Sequence, residues 1–434
     1  MHRNLIALLV ISIVLTETIL IPIALLAPAA VLSIPTSGGI IAVSASLTLH
    51  VDGRWIRDSN ENVIYLRGVS GGTVSFVDRT NGNWIAVGAT GPSASWNPQA
   101  VKDNLDVMRR WGVNVIRSLI TPYYWKFNTN NFRQNIKDLL TWAGERGIYV
   151  LLEGYQVLPY SISQRSMDAL PYPPFQSSSA AYDPALTQQI IGSEQDYIDW
   201  MAQMASELAN YPSLIIGLWN EPHPGDASND PNWSLGAAAF ASWVGNVTHT
   251  GVVARTVDAI RKAGSQNLIV VQWNYGVSVN WNSPSSGEFV NDWISSMNLT
   301  GKSNIAYATH MYRESGAYGT AASRRWTIDD IRQCFVYEGI PWVGETFGAP
   351  LLITEIGSED GSSSDDGHNF DAFSNALTVL NEMRLGYLAW WWSNWSGGRV
   401  SDLLQSGSFV PPPTRSGQTL QTKIVEGTNR TTYP

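Results

Sequence analysis

The chain has 434 residues, of which 44% are hydrophobic and 15% charged, a balance that allows a sizeable core and excludes extended disorder. Its net charge of -9, with no dense Lys/Arg run, excludes the basic surface that a phosphate backbone requires, so no nucleic-acid partner is expected. Cys334 is the only cysteine and the six histidines lack ligand-like spacing. An intrachain disulfide and a thiolate cluster are thereby excluded, and no metal and no other cofactor is expected.

The chain opens with a strongly apolar stretch in which Arg3 precedes Leu5 to Leu15, resembling the charged start and hydrophobic run of an export signal. Small residues fit cleavage after Ala29, preceded by Ala27, or after Ala45, preceded by Val43. Thr16, Glu17 and Thr18 interrupt the run, and a carboxylate inside a membrane span is costly, which favours export over an uncleaved anchor. Residues 1–45 are expected to be a signal peptide, or else a membrane anchor, with a short linker. Residues 46–434 are expected to form the exported domain, with membrane contact only through such an anchor.

A small hairpin is expected over residues 50–65, with Asp52-Gly53 and Asn60 as turn residues, capping the bottom of the domain. Short apolar runs then alternate with amphipathic stretches, the pattern of parallel strands joined by crossover helices. Strands are expected at 65–69, 113–119, 149–153, 215–219, 268–273, 305–310, 351–355 and 387–392. Helices are expected at 101–110, 132–146, 195–210, 237–263 and 370–384, the third showing Tyr197, Met201, Met204, Ala205 and Leu208 at helical spacing before Pro212. Eight such strands, separated by helical stretches, predict an α/β fold, a (β/α)8 TIM barrel in one domain. Gly/Ser/Pro/Asn-rich segments at 157–187, 223–235 and 275–288 are long strand-to-helix loops at the C-terminal face, where barrel active sites are built. After Trp395 the tail carries Pro411, Pro412 and Pro413 and turns polar, so it is expected to be partly mobile.

Two glutamates end buried strands: Glu221 in Leu218-Trp219-Asn220-Glu221-Pro222 and Glu355 in Leu351-Leu352-Ile353-Thr354-Glu355. A carboxylate at the end of a buried run loses hydration and is normally kept only if paired, hydrogen-bonded or used in chemistry. Two carboxyl groups converging on one cleft are what glycoside hydrolysis needs, one to protonate the leaving oxygen and one to stabilise or attack the oxocarbenium-like centre. The 19 Trp and 17 Tyr serve mostly as core, but a few broad rings would suit stacking on sugars. Trp96, Trp125, Trp273 and Trp281 are candidates, with ordinary packing as the alternative for each.

At these residues the chain resembles glycoside hydrolase family 5, the retaining barrel glycosidases that include cellulases and mannanases. The resemblance spans about 47–395. It rests on Asn220-Glu221-Pro222 after the fourth strand and Thr354-Glu355-Ile356-Gly357 after the seventh. Arg117, His310-x-Tyr312 and Trp392 add to it from the second, sixth and eighth strands. The resemblance implies Glu221 as general acid/base and Glu355 as nucleophile. Asn220 would bond the sugar 2-hydroxyl, Arg117 and Tyr312 would hold Glu355 ionised, His310 would line the same subsite, and Trp392 would form a stacking floor. Within Trp390-Trp391-Trp392, alternation sends Trp390 and Trp392 to one side and Trp391 to the other, and only the family pattern singles out Trp392. Family members often carry Asp-x-His at the end of the third strand, where this chain has Glu153-Gly154-Tyr155; Tyr155 is expected to take over part of the missing histidine's role.

The function so implied is a secreted, retaining, endo-acting glycoside hydrolase that cleaves β-1,4-glucan without a cofactor, its partner a polysaccharide and no protein partner implied. Endo-β-1,4-mannanase or another β-glycanase is the direct alternative. A non-catalytic carbohydrate-binding surface protein is the alternative of a different class.

Overall fold

The structure, a computed structural model, describes residues 47–70, 96–128, 131–155, 184–220, 251–272, 301–312, 327–337, 348–357, 368–392 and 412–429. It also describes short pieces at 76–77, 84–85, 157–158, 344–345 and 403–404 and the single positions 222 and 299. All of these belong to one compact unit, Ala42–Pro434. The expected export signal at 1–45 lies outside the described residues.

Strands β1 (His50–Asp52) and β2 (Trp55–Arg57) form the expected antiparallel hairpin, with Gly53 at φ 55 in the left-handed conformation that a tight turn asks of glycine. Asp58 closes the next turn by accepting from the backbone N–H groups of Asn60 and Asn62. Strand β3 (Arg67–Ser70) follows, then a separate two-stranded piece, β4 (Phe76–Val77) and β5 (Trp84–Ile85). Strands β6 (Val115–Ile120), β7 (Tyr149–Gly154), β8 (Leu214–Gly217), β9 (Leu268–Gln272), β10 (Ile305–Tyr312), β11 (Leu351–Gly357) and β12 (Gly386–Trp390) complete the set. Eight of them close a barrel in the order β10-β11-β12-β3-β6-β7-β8-β9, every pairing parallel. The fold is the expected (β/α)8 TIM barrel, with the expected hairpin before it.

Alternation along each strand divides the core in two. Ile116, Val150, Leu152, Ile216, Ile269, Tyr307, Ile353 and Tyr387 face outward and pack with helical residues. Val115, Leu151, Ile215, Val270, Ala308 and Leu388 fill the barrel lumen together with Leu47, Leu49, Ile56 and Leu66. The hairpin region therefore plugs the N-terminal end with apolar side chains, and polar groups are left to the other end.

Helices α1 (Pro98–Arg110), α2 (Pro122–Phe127), α3 (Phe132–Glu145), α4 (Pro184–Ile190), α5 (Glu194–Glu207), α6 (Val252–Lys262), α7 (Ile328–Tyr337), α8 (His368–Met383) and α9 (Arg415–Asn429) accompany the barrel. Asn97, Thr121 and Ser193 cap α1, α2 and α5 by accepting from backbone N–H groups inside the first turn, and Pro98 and Pro122 stand at the first positions. Helices α2, α4 and α7 were not expected; α2 has six residues, too few for a periodic signal. None of the helices among the described residues is long and apolar enough to cross a membrane.

Over Arg415–Asn429 the tail forms a docked helix, α9, where mobility was expected. Ser416, Gly417, Leu420, Ile424 and Gly427 are buried along one face, and Asn381 on α8 donates to the Lys423 carbonyl at 2.9 Å. The stripe was hidden in the sequence because only Leu420 and Ile424 on it are large and apolar. Leu420→Ala should lower unfolding stability by about 3 kcal/mol, read by urea titration; a loss near zero would mean that α9 is not docked in solution.

Candidate active site

The lumen turns polar at the C-terminal ends of the strands. Ser70, Arg117, Glu153, Gln272, His310 and Glu355 are all buried there, and Asn220 lies just past β8. In β6 and β7 this follows from simple alternation, since Val115 and Arg117, and Leu151 and Glu153, share the inward parity. In β11 alternation alone would send Glu355 outward, because Leu352 faces the lumen and Ile353 does not. A register irregularity falls between Ile353 and Ile356 against β12, and another between Thr309 and His310 against β11. The extra residue turns Glu355 inward opposite His310 while Ile356 returns to the outer core, the re-aiming role that bulges often have next to active sites.

Arg117 organises the cluster. Its Nε donates to Glu153 Oε2 at 2.5 Å and its Nη1 to Ser70 Oγ at 3.0 Å. Nη1 also donates to Glu355 Oε1, and Nη2 to Asn220 Oδ1. One fully buried guanidinium thus holds two buried carboxylates and the amide next to Glu221. Burial acts to lower the Arg117 pKa, but Glu153 and Glu355 overcome it and raise the pKa above its ordinary value.

His310 Nδ1 stands 3.5 Å from Glu355 Oε2. Burial pushes its pKa down from 6.5 to about 4; Glu355 and Glu153 oppose the shift and Arg117 adds to it, so the imidazole is neutral at ordinary pH. Between these two values the unfolded chain binds the extra proton and the folded chain does not. Stability therefore rises with pH across this window and is lost on acidification by about 3 kcal/mol. His310→Gln should flatten that dependence in urea titrations at pH 4.5 and 6.5; an unchanged slope would place its origin elsewhere.

Trp392 is placed away from the cleft. It is 1% exposed, its indole N–H donates to Asn104 Oδ1 on α1 at 2.9 Å, and its ring meets Trp111 edge-on. The lumen-side tryptophan of β12 is Trp390, which follows the parity of Leu388, is paired in register with Ser70, and stacks on Trp391 at 5.2 Å and 10°. Tyr155 is half-buried just past β7, with its N–H donating to the Ile120 carbonyl. Trp125 is a fully buried core residue, and Trp96 stacks on Trp142 of α3. Glu221, Trp273, Trp281 and the Tyr312 side chain lie outside the described residues; Asn220, the residue before Glu221, is fixed by its N–H bond to the Gly154 carbonyl at 2.7 Å.

Sequence reasoning missed Glu153, although it ends the apolar run Tyr149-Val150-Leu151-Leu152 just as Glu355 ends its own. Ser70 carried no signal. Among the described residues no group of three His, Cys, Asp or Glu side chains is arranged to hold a metal ion.

The family model described as cellulase, glycosyl hydrolase family 5, matches residues 78–396. No curated protein matches the chain. Similar solved structures include a β-glucanase from Saccharophagus degradans, with 18% identity, a TM-score of 0.57, and 87% of this chain and 93% of that chain covered. A hyperthermophilic endocellulase from the archaeon Pyrococcus horikoshii shares 17% identity at a TM-score of 0.60, over 87% of this chain and 100% of that one. The catalytic domain of a mannanase from Streptomyces sp. SirexAA-E shares 18% identity at a TM-score of 0.50, over 88% and 91%. At such identities these structures speak for the barrel alone. The family match covers seven of the eight barrel strands, including the ends of β6, β7, β10 and β11 that carry Arg117, Glu153, His310 and Glu355, and the chain belongs to glycosyl hydrolase family 5.

Proposed function

We propose that the protein is a retaining, endo-acting β-1,4-glucanase in which Glu355 is the nucleophile and Glu221 the general acid/base. The observation that carries this reading is the buried Glu355 carboxylate, turned into the lumen by a bulge and held by Arg117. In the first step a Glu355 oxygen bonds to the anomeric carbon while the glycosidic C–O bond breaks, and Glu221 gives its proton to the departing oxygen. In the second step water attacks the same carbon, Glu221 takes its proton, and Glu355 regains its charge. Asn220 bonds the 2-hydroxyl and is itself oriented by Arg117. Neutral His310 lines the same subsite, and Tyr312 supports Glu355. Tyr155 contributes a contact on the leaving-group side, and Trp390 takes the stacking position first expected of Trp392.

A glucan substrate is supported by the cellulase family model and by fold likeness to a β-glucanase and an endocellulase. Likeness to a mannanase keeps β-1,4-mannan as the second reading. The apolar start followed by small residues supports export, with the domain acting outside the cell. The full chain should release new reducing ends from carboxymethylcellulose and mixed-linkage glucan. Release from mannan alone would keep the mechanism and change the substrate. A folded sample inactive on every β-glycan, laminarin included, would favour a carbohydrate-binding protein.

A further inference from the structure

We infer that Glu153 is a positioning residue, a fixed counter-ion that shares Arg117 with Glu355 and keeps the guanidinium paired while Glu355 is esterified. The inference rests on the glycosidase reading above. Both Nε and Nη2 of Arg117 face Glu153 Oε2, leaving Nη1 for Glu355 and the far side of Nη2 for Asn220. Glu153 thus grips the inner edge of the fork and aims its outer nitrogens at the two residues that would meet the sugar.

The space for this grip is built into the neighbouring strand. Gly217 occupies a lumen position on β8 with no side chain, and a Cβ there would lie 2.7 Å from both Cβ and Cγ of Glu153 and 3.0 Å from its Cδ. Any larger residue would displace the carboxylate. The side chain that barrel packing asks of β8 at this level is supplied instead by the charged residue of β7.

At rest one cation faces two anions, so Arg117 does not bind Glu355 with its full charge and the carboxylate keeps its nucleophilicity. When Glu355 forms its ester with the anomeric carbon it loses its charge. Arg117 and Glu153 then remain as a neutral pair, and no bare guanidinium is left in a buried site. The charged and titratable groups facing Glu355 among the described residues are Arg117 from β6, Glu153 through it from β7, and His310 from β10.

Glu153→Gln in the full chain tests this with dinitrophenyl β-cellobioside, or the β-mannobioside if mannan is the substrate. Arg117 would then have Glu355 as its sole carboxylate, making Glu355 a poorer nucleophile and easier to ionise. The expected result is a fall of about a hundredfold in kcat/KM together with a shift of its acid limb to lower pH by about one unit. A limb that stays in place or moves up overturns the inference, because a merely structural role would let Arg117 drift from Glu355 and raise the limb. Glu153→Asp keeps the charge and should keep the limb; it decides the matter if the Gln variant fails to fold, a displaced limb counting against the inference. Should the wild type turn over neither glycoside, the glycosidase reading falls. The carbon-13 carboxyl titration of Glu355, assigned with Glu355→Gln, still decides the counter-ion role. A lower midpoint in Glu153→Gln supports it and an unchanged one overturns it.

Discussion

Glu355→Gln is expected to lower kcat on carboxymethylcellulose by about ten-thousandfold or more while leaving the fold standing. The amide has the shape of the carboxylate but cannot form the glycosyl ester, so the covalent route closes. The fold should persist because Arg117 retains Glu153; one cation facing one anion is a balanced pair, and the lost partner was the second anion. Reducing-end assays and a thermal melt on the same sample check both halves. Turnover within tenfold of wild type would remove Glu355 from the nucleophile role. A collapsed melt would show that the carboxylate is chiefly structural.

Arg117→Gln should behave in the opposite way. It leaves Glu153 and Glu355 buried without their common cation and removes the bonds to Ser70 and Asn220. Breaking a buried pair by deleting one partner typically costs about 3–5 kcal/mol, and here two anions are stranded together. The acid limb of any residual activity should move to higher pH by about one unit or more, since Glu355 would lose the charge that keeps it ionised. Urea titration and a pH profile read the two effects. A stable variant with an unmoved acid limb would mean that the cluster does not govern ionisation at the site.

Most of the eight strands were legible because each is a short apolar run, and the two-sided burial of a parallel barrel makes such runs continuous; β3, Arg67-Gly68-Val69-Ser70, is the exception and lies a little later than the expected 65–69. Glu355 was legible for the same reason, as a carboxylate that an apolar run has no use for. What aims it was not, because a bulge leaves no mark in residue type, and strict alternation from Leu352 predicts the wrong face. Trp392 shows the limit from the other side. Alternation puts it with Trp390, but β12 ends at Trp390; beyond that point Trp392 still donates its N–H to the Ser70 carbonyl while its ring turns to Asn104 and Trp111 on the helix side. Periodicity holds only as long as the strand does. Glu153 ends its apolar run as Glu355 does, but the family pattern at the third strand differs from this chain most visibly at Tyr155, where the histidine is absent, and residue type alone does not show that the carboxylate two positions earlier is held by Arg117.

Covalent trapping tests the central claim most directly. A 2-deoxy-2-fluoro β-cellobioside with an activated leaving group, incubated with the full chain, should add one fluoroglycosyl unit to the intact mass, and peptide mapping should place it on Glu355. A label on another residue, or steady turnover with inverted anomeric configuration and no label, would contradict the account.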